Sequence, residues 1–109
     1  MKSRLVPVAG VLLLGAVPLA QAADLSKPNG EMLSHTCAAC HGTYGHFDDD
    51  YMPPLAGMSE ERFVDSMIAF RNGSRPASIM DRVAKAFTDE EIEAMAEFFA
   101  AQQDEEVTP

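Results

Sequence analysis

The sequence is poor in several things that would otherwise stabilise a small chain. It has only two cysteines in 109 residues, three positions apart. A bridge between them would close a tiny loop and add little through chain entropy, so a disulfide scaffold is excluded. Basic residues are scarce, 8 against 17 acidic ones. A surface of that sign repels nucleic acid and anionic membranes, and it favours a basic partner or simple solubility. No alternating strand pattern, internal repeat or low-complexity tract is present. No apolar run reaches the roughly 20 residues a membrane-spanning helix needs.

What is present begins with an export signature. Lys2 and Arg4 precede the apolar stretch from Val6 to Leu19, and Ala20-Gln21-Ala22 supplies small residues at a cleavage site. Residues 1–22 therefore read as a signal peptide, with no membrane span in the mature chain and the periplasm as destination. Removing these 22 of 109 residues leaves 87, one domain at most. So short a chain buries a thin core and needs a metal or cofactor as a staple. Residues 23–103 form this domain, and 104–109 read as a disordered acidic tail.

The periodicity predicts an all-α domain of three to five short helices with long loops. Asn29 caps a helix running towards Cys40 and stopped by Gly42. Residues 43–57 are loop, with two prolines and the triplet Asp48-Asp49-Asp50. Ser59 caps a helix with an apolar face of Phe63, Val64, Met67, Ile68 and Phe70, ended by Asn72-Gly73. A short helix is expected from Ser78 to Ala86. Thr88 and Glu91 form a capping box, and Ile92, Met95, Ala96 and Phe99 recur at helical spacing behind it. Loops this long in a small domain need something to pack on, and a flat apolar macrocycle supplies it.

Cys37-Ala38-Ala39-Cys40-His41 carries the chemistry. The C-x-x-C-H spacing sets two thiols against the two vinyl groups on one edge of haem, and the adjacent imidazole lies under the ring where it ligates iron. A thioredoxin-like motif needs a strand–helix setting, a zinc site needs more ligands than His35 and His46 supply, and a plain disulfide leaves His41 unexplained. One covalently bound haem c follows, held by Cys37 and Cys40.

The second iron ligand is open among Met32, Met52, Met58, Met67, Met80 and Met95, with His46 as an outsider. Met32 shares the attachment helix, and Met67 and Met95 sit in apolar stripes where methionine is usually core. Met52 and Met58 remain candidates. Met80, in a loop far along the chain, is favoured. The Met52–Gly57 loop is a natural source of a carbonyl to hold His41, with Leu55 packing on the ring edge. Arg71, Arg75 and Arg82 flank Met80. Arg75 is the leading candidate to pair with a haem carboxylate, and a surface ion pair is the bland alternative for each arginine.

These residues resemble a class I cytochrome c domain. The resemblance rests on Cys37 to Gly42, Pro54-Leu55-Ala56-Gly57, Phe70-Arg71-Asn72-Gly73-Ser74-Arg75-Pro76, Ile79-Met80 and Phe87 to Ile92, and it covers about residues 30–102. More narrowly, the chain is similar to the cytochrome subunit of flavocytochrome c sulfide dehydrogenase, in a single-haem version. The resemblance implies His41 and Met80 as axial ligands and the Pro53 carbonyl as the group holding His41. It also implies first and last helices crossing with Gly30 and Phe98 or Phe99 near the contact. The implied function is electron transfer without catalysis of its own. An FAD-bearing sulfide dehydrogenase subunit would be donor, and a downstream cytochrome or oxidase acceptor. A free-standing periplasmic shuttle is the alternative, and a catalytic or gas-binding haem protein a more distant one.

The attachment reading makes a direct prediction. Exported protein is coloured and keeps its pigment in acidified acetone, whereas the Cys37→Ala/Cys40→Ala variant yields little folded protein by circular dichroism. A compact helical apoprotein would contradict this.

Overall fold

The computed structural model describes Gly10 and residues 24–47, 49 and 51–102. The signal peptide expected over 1–22, Gly10 apart, and the acidic tail expected over 104–109 lie outside the described residues. So do Asp48 and Asp50 of the acidic triplet. Among the described residues there is no strand, only an isolated bridge between Asp49 and Met52. No described helix is long and apolar enough to cross a membrane.

The described residues hold five α-helical segments: α1 (Gly30–Ser34), α2 (Ala38–His41), α3 (Glu60–Asn72), α4 (Met80–Val83) and α5 (Asp89–Ala101). The helix expected from Asn29 to Cys40 begins as expected, with the Met32 N–H donating to Asn29 Oδ1 at 2.9 Å. It does not run through. A 3₁₀ turn over His35–Cys37 separates α1 from α2. There the Thr36 hydroxyl donates to the Leu33 carbonyl at 2.7 Å, a local side-chain bond that competes with the regular helical ladder. Gly42 then ends α2 at φ 81°, ψ 164°, a conformation open to glycine and costly to other residues.

α3 and α5 each have 13 residues and carry their own start signals. Ser59 Oγ accepts from the Arg62 N–H, and Glu60 and Glu61 lie in the first turn, where carboxylates complement the helix dipole. Thr88 and Glu91 make both halves of a capping box, at 2.9 and 3.3 Å. The short helix expected over Ser78–Ala86 starts only at Met80 and tightens to a 3₁₀ turn at Ala84–Ala86. Met80 is thus the first residue of a helix and not part of a loop. The Arg82 and Val83 amides both close on the Ile79 carbonyl, which places the helix start there.

The core lies between α1, α3 and α5. Ile92, Met95 and Phe99 are fully buried, and the Phe63 and Phe99 rings meet at 5.4 Å. α1 crosses α5 at Gly30, but the residue opposite is Ala94. A Cβ on Gly30 would stand 2.1 Å from the Ala94 carbonyl oxygen. The small side chain of Ala94 permits this backbone approach, whereas Phe98, one turn on, reaches out to Tyr44 with ring centroids 5.8 Å apart. The loop after α2 folds back on itself, with the Leu55 and Ala56 amides sharing the Gly45 carbonyl. It is pinned to α5 by the Gly57 N–H donating to the Phe99 carbonyl at 2.9 Å.

Gly30→Ala forces backbone against backbone at this crossing. It is expected to cost about 3 kcal/mol, the upper part of the overpacking range, measured by denaturant unfolding of the loaded protein. Thr88→Ala removes one cap and is expected to cost about 1 kcal/mol in the same assay.

Candidate cofactor cleft

A cleft of about 390 Å³ opens between the α2 segment, the loop around Met52–Met58, one face of α3 and the connection leading into α4. That volume lies within the range of roughly 300–1,000 Å³ for clefts that take cofactor-sized molecules. Its walls bring together all seven site residues read from the sequence: Cys37, Cys40, His41, Pro53, Leu55, Arg75 and Met80.

His41 is 8 % exposed, and its Nδ1 lies 2.8 Å from the Pro53 carbonyl oxygen. A carbonyl only accepts, so Nδ1 carries the proton and donates it. Nε2 is then left with a free lone pair, the form in which imidazole binds a metal. The loop that supplies this carbonyl is fixed by Pro53, Pro54 and the Gly45 carbonyl bonds.

Cys37 and Cys40 are free thiols, Cys37 half-buried and Cys40 exposed. Burial pushes the Cys37 thiol above its ordinary value, with the Thr36 hydroxyl opposing in part and the neighbouring Cys40 adding to the rise. A catalytic thiol needs the opposite shift, so the surroundings of Cys37 do not activate it as a nucleophile. Among the described residues no three His, Cys, Asp or Glu side chains converge to hold a metal ion.

The methionine candidates separate by location. Met52, Met58, Met67 and Met80 line the cleft. Met95 is sealed in the core and Met32 is 70 % exposed on α1. His46 is exposed, caps the 3₁₀ turn after Gly42, and does not line the cleft. Leu55 is buried and belongs to both the cleft wall and the core.

The arginines separate as well. Arg71 is committed elsewhere, ion-paired to Asp89 and donating to the Phe87 carbonyl at 3.1 Å. Arg82 is exposed and outside the cleft lining. Arg75 lies on the wall, its Nη1 donating to Ser66 Oγ at 3.0 Å and its guanidinium 4.6 Å from the Phe70 ring centre. Arg62 and Ser66 also line the cleft and were not foreseen. The helical period held the signal: 62, 66 and 70 form one stripe beside the apolar 63 and 67.

No family model matches the chain. Individual proteins do. The cytochrome subunit of sulfide dehydrogenase from Chlorobaculum tepidum is 43 % identical over 75 residues, 69 % of this chain and 67 % of that protein. The thiosulfate dehydrogenase electron acceptor of Stutzerimonas stutzeri is 40 % identical over 67 residues, 59 % of this chain but only 31 % of the longer relative. Cytochrome c-554(548) of Halomonas halodenitrificans is 35 % identical over 77 residues, 68 % of this chain and 93 % of that protein.

The donor chemistry of the cleft fits haem: two free thiols at the attachment spacing, an adjacent buried imidazole with its tautomer fixed, thioethers on the walls and an apolar interior. With the helical fold, these residues and the relatives in agreement, the chain belongs to the class I c-type cytochromes, with one haem c bonded through Cys37 and Cys40.

Proposed function

We propose that His41 Nε2 and the Met80 thioether would hold the haem iron of an electron-transfer subunit that serves an FAD-bearing sulfide dehydrogenase in the periplasm. The observation that carries this is the meeting, in one cleft, of His41 with its Nδ1 bonded to Pro53 and Met80 at the head of α4. Haem iron, when bound, cycles between ferrous and ferric states and so handles single electrons.

The chain's own residues set the conditions. The Pro53 carbonyl holds the His41 ring in one orientation and, in the neutral imidazole, places the proton on Nδ1 so that Nε2 is the lone-pair nitrogen. The Met80 thioether, a neutral soft donor, favours the ferrous state and raises the potential. Leu55, Phe63 and Met67 exclude water from the cleft floor. Arg75 pairs with a haem carboxylate.

The sulfide-oxidising partner is supported by the name of the Chlorobaculum relative. The acidic excess supports a basic docking face on that partner. Electrons then pass to a downstream cytochrome or oxidase. A free-standing shuttle is the second reading.

Met80→Ala is expected to abolish the weak far-red sulfur–iron absorption of the oxidised protein and to lower the midpoint potential. Met52→Ala and Met58→Ala keep both features. An unchanged spectrum and potential in Met80→Ala would show that another residue ligates iron. Purification of the exported protein from its native cells is expected to bring down an FAD-containing protein in stoichiometric yield. A monomer that elutes alone, with electron-transfer rates falling steeply as salt is added, would establish the shuttle instead.

A further inference from the structure

The chain that leads to Met80 does little to hold it at the cleft. Residues 73–79, between α3 and α4, are exposed throughout. The last backbone tie to α3 before Met80 is the Arg75 N–H, which donates to the Ala69 carbonyl at 3.1 Å. Beyond that point the segment is gripped from its far side. Met80–Val83 and the 3₁₀ turn Ala84–Ala86 run on without a break, a helical rod about 10 Å long. Met80 stands at one end of the rod. Ala84 is fully buried near the other, and Phe87 follows, packed against the core.

Arg71 closes on that far end. From the last turn of α3 its Nη1 donates to the Phe87 carbonyl at 3.1 Å, and its Nη2 is ion-paired to Asp89. Among the described residues the Phe87 bond is the sole hydrogen bond joining residues 76–88 to any residue before them. Two nitrogens of one planar guanidinium bridge two acceptors, which fixes direction as well as distance. The two contacts differ in worth. The Asp89 side chain is 69 % exposed, and water screens a pair of that kind. The Phe87 bond is part-buried, and removing its charged donor leaves a half-buried carbonyl unsatisfied. The Phe87 bond therefore carries the hold, and Asp89 aims the guanidinium.

We propose that Arg71 is a positioning residue for Met80. Its fork latches the Phe87 end of the α4 segment to α3, and the unbroken helical turns transmit that hold to the thioether at the opposite end. The proposal rests on the reading of Met80 as an iron ligand. With the latch broken, the segment keeps only its apolar contacts, which do not fix direction. It then opens as a local unit, and the thioether leaves the cleft more often.

The test uses the purified loaded protein in its oxidised form, with imidazole as the probe, at concentrations where displacement of the thioether no longer quickens as more is added. The plateau is then the rate at which Met80 itself lets go. Arg71→Gln raises it about tenfold or more, the factor for losing a charged hydrogen bond in a part-buried place. Asp89→Asn raises it much less, because that pair is screened. Arg71→Lys keeps the charge and loses the fork, and it falls between the native protein and Arg71→Gln. Lys85→Gln removes an exposed cation from the same segment, and Ser59→Ala removes the cap at the other end of α3; both leave the plateau nearly unchanged. Amide hydrogen exchange gives a second readout that does not involve the iron. The Arg82, Val83 and Phe87 N–H groups exchange faster in Arg71→Gln, while that of Met95 in the core keeps its protection. Should Arg71→Gln retain too little haem, Arg71→Lys carries the same two readouts. A plateau and exchange rates in the Arg71 variants no different from those of Lys85→Gln overturn the latch. Faster exchange with an unchanged plateau shows the segment opening without its thioether, and this too overturns the role of Arg71 toward Met80. A sulfur–iron band that persists in Met80→Ala removes the ligand reading itself, and the positioning role falls with it.

Discussion

The hydrogen bond between His41 Nδ1 and the Pro53 carbonyl joins two segments that local structure alone leaves independent, the attachment turn and the proline loop. Its effect is chemical as well as mechanical, because it assigns the imidazole proton and frees Nε2. The carbonyl is itself held in place. Gly45 receives the Leu55 and Ala56 amides just after it, and the Gly57 N–H is bonded to Phe99 on α5. Backbone hydrogen bonds therefore anchor the His41 side of the cleft to the most deeply buried helix. A ligand positioned from the core moves little when charge changes, which suits a protein that passes electrons.

The same helices serve two purposes. Phe99, Ile92 and Met95 make a fully buried core with α1 and α3, while Phe63 and Met67 on α3 belong to that core and to the cleft wall. A chain this small has too little apolar surface to bury against itself alone. A macrocycle in the cleft would pack on Leu55, Phe63 and Met67, which also belong to the core, so holding the cofactor and holding the fold would draw on shared residues.

Charge is divided with similar economy. Arg71 fastens the end of α3 to the start of α5 through Phe87 and Asp89. Arg62 and Arg75 face the cleft, in a chain whose formal net charge is −9.

The sequence by itself determined what depends on neighbours along the chain. The Cys37-x-x-Cys40-His41 spacing sets the attachment chemistry, and the caps at Asn29, Ser59 and Thr88 and the glycine stop at 73 mark the helix ends, because each acts through bonds within a few residues. Which side chains share a space was decided only by the tertiary structure. Four methionines reach the cleft while Met95 is walled into the core, and Arg75 is separated from Arg71 although they are one turn apart. The break at His35–Cys37, the helical position of Met80 and the meeting of Gly30 with Ala94 belong to this second class. They follow from how closely backbones approach and which faces are buried, and periodicity along a single chain carries no measure of either.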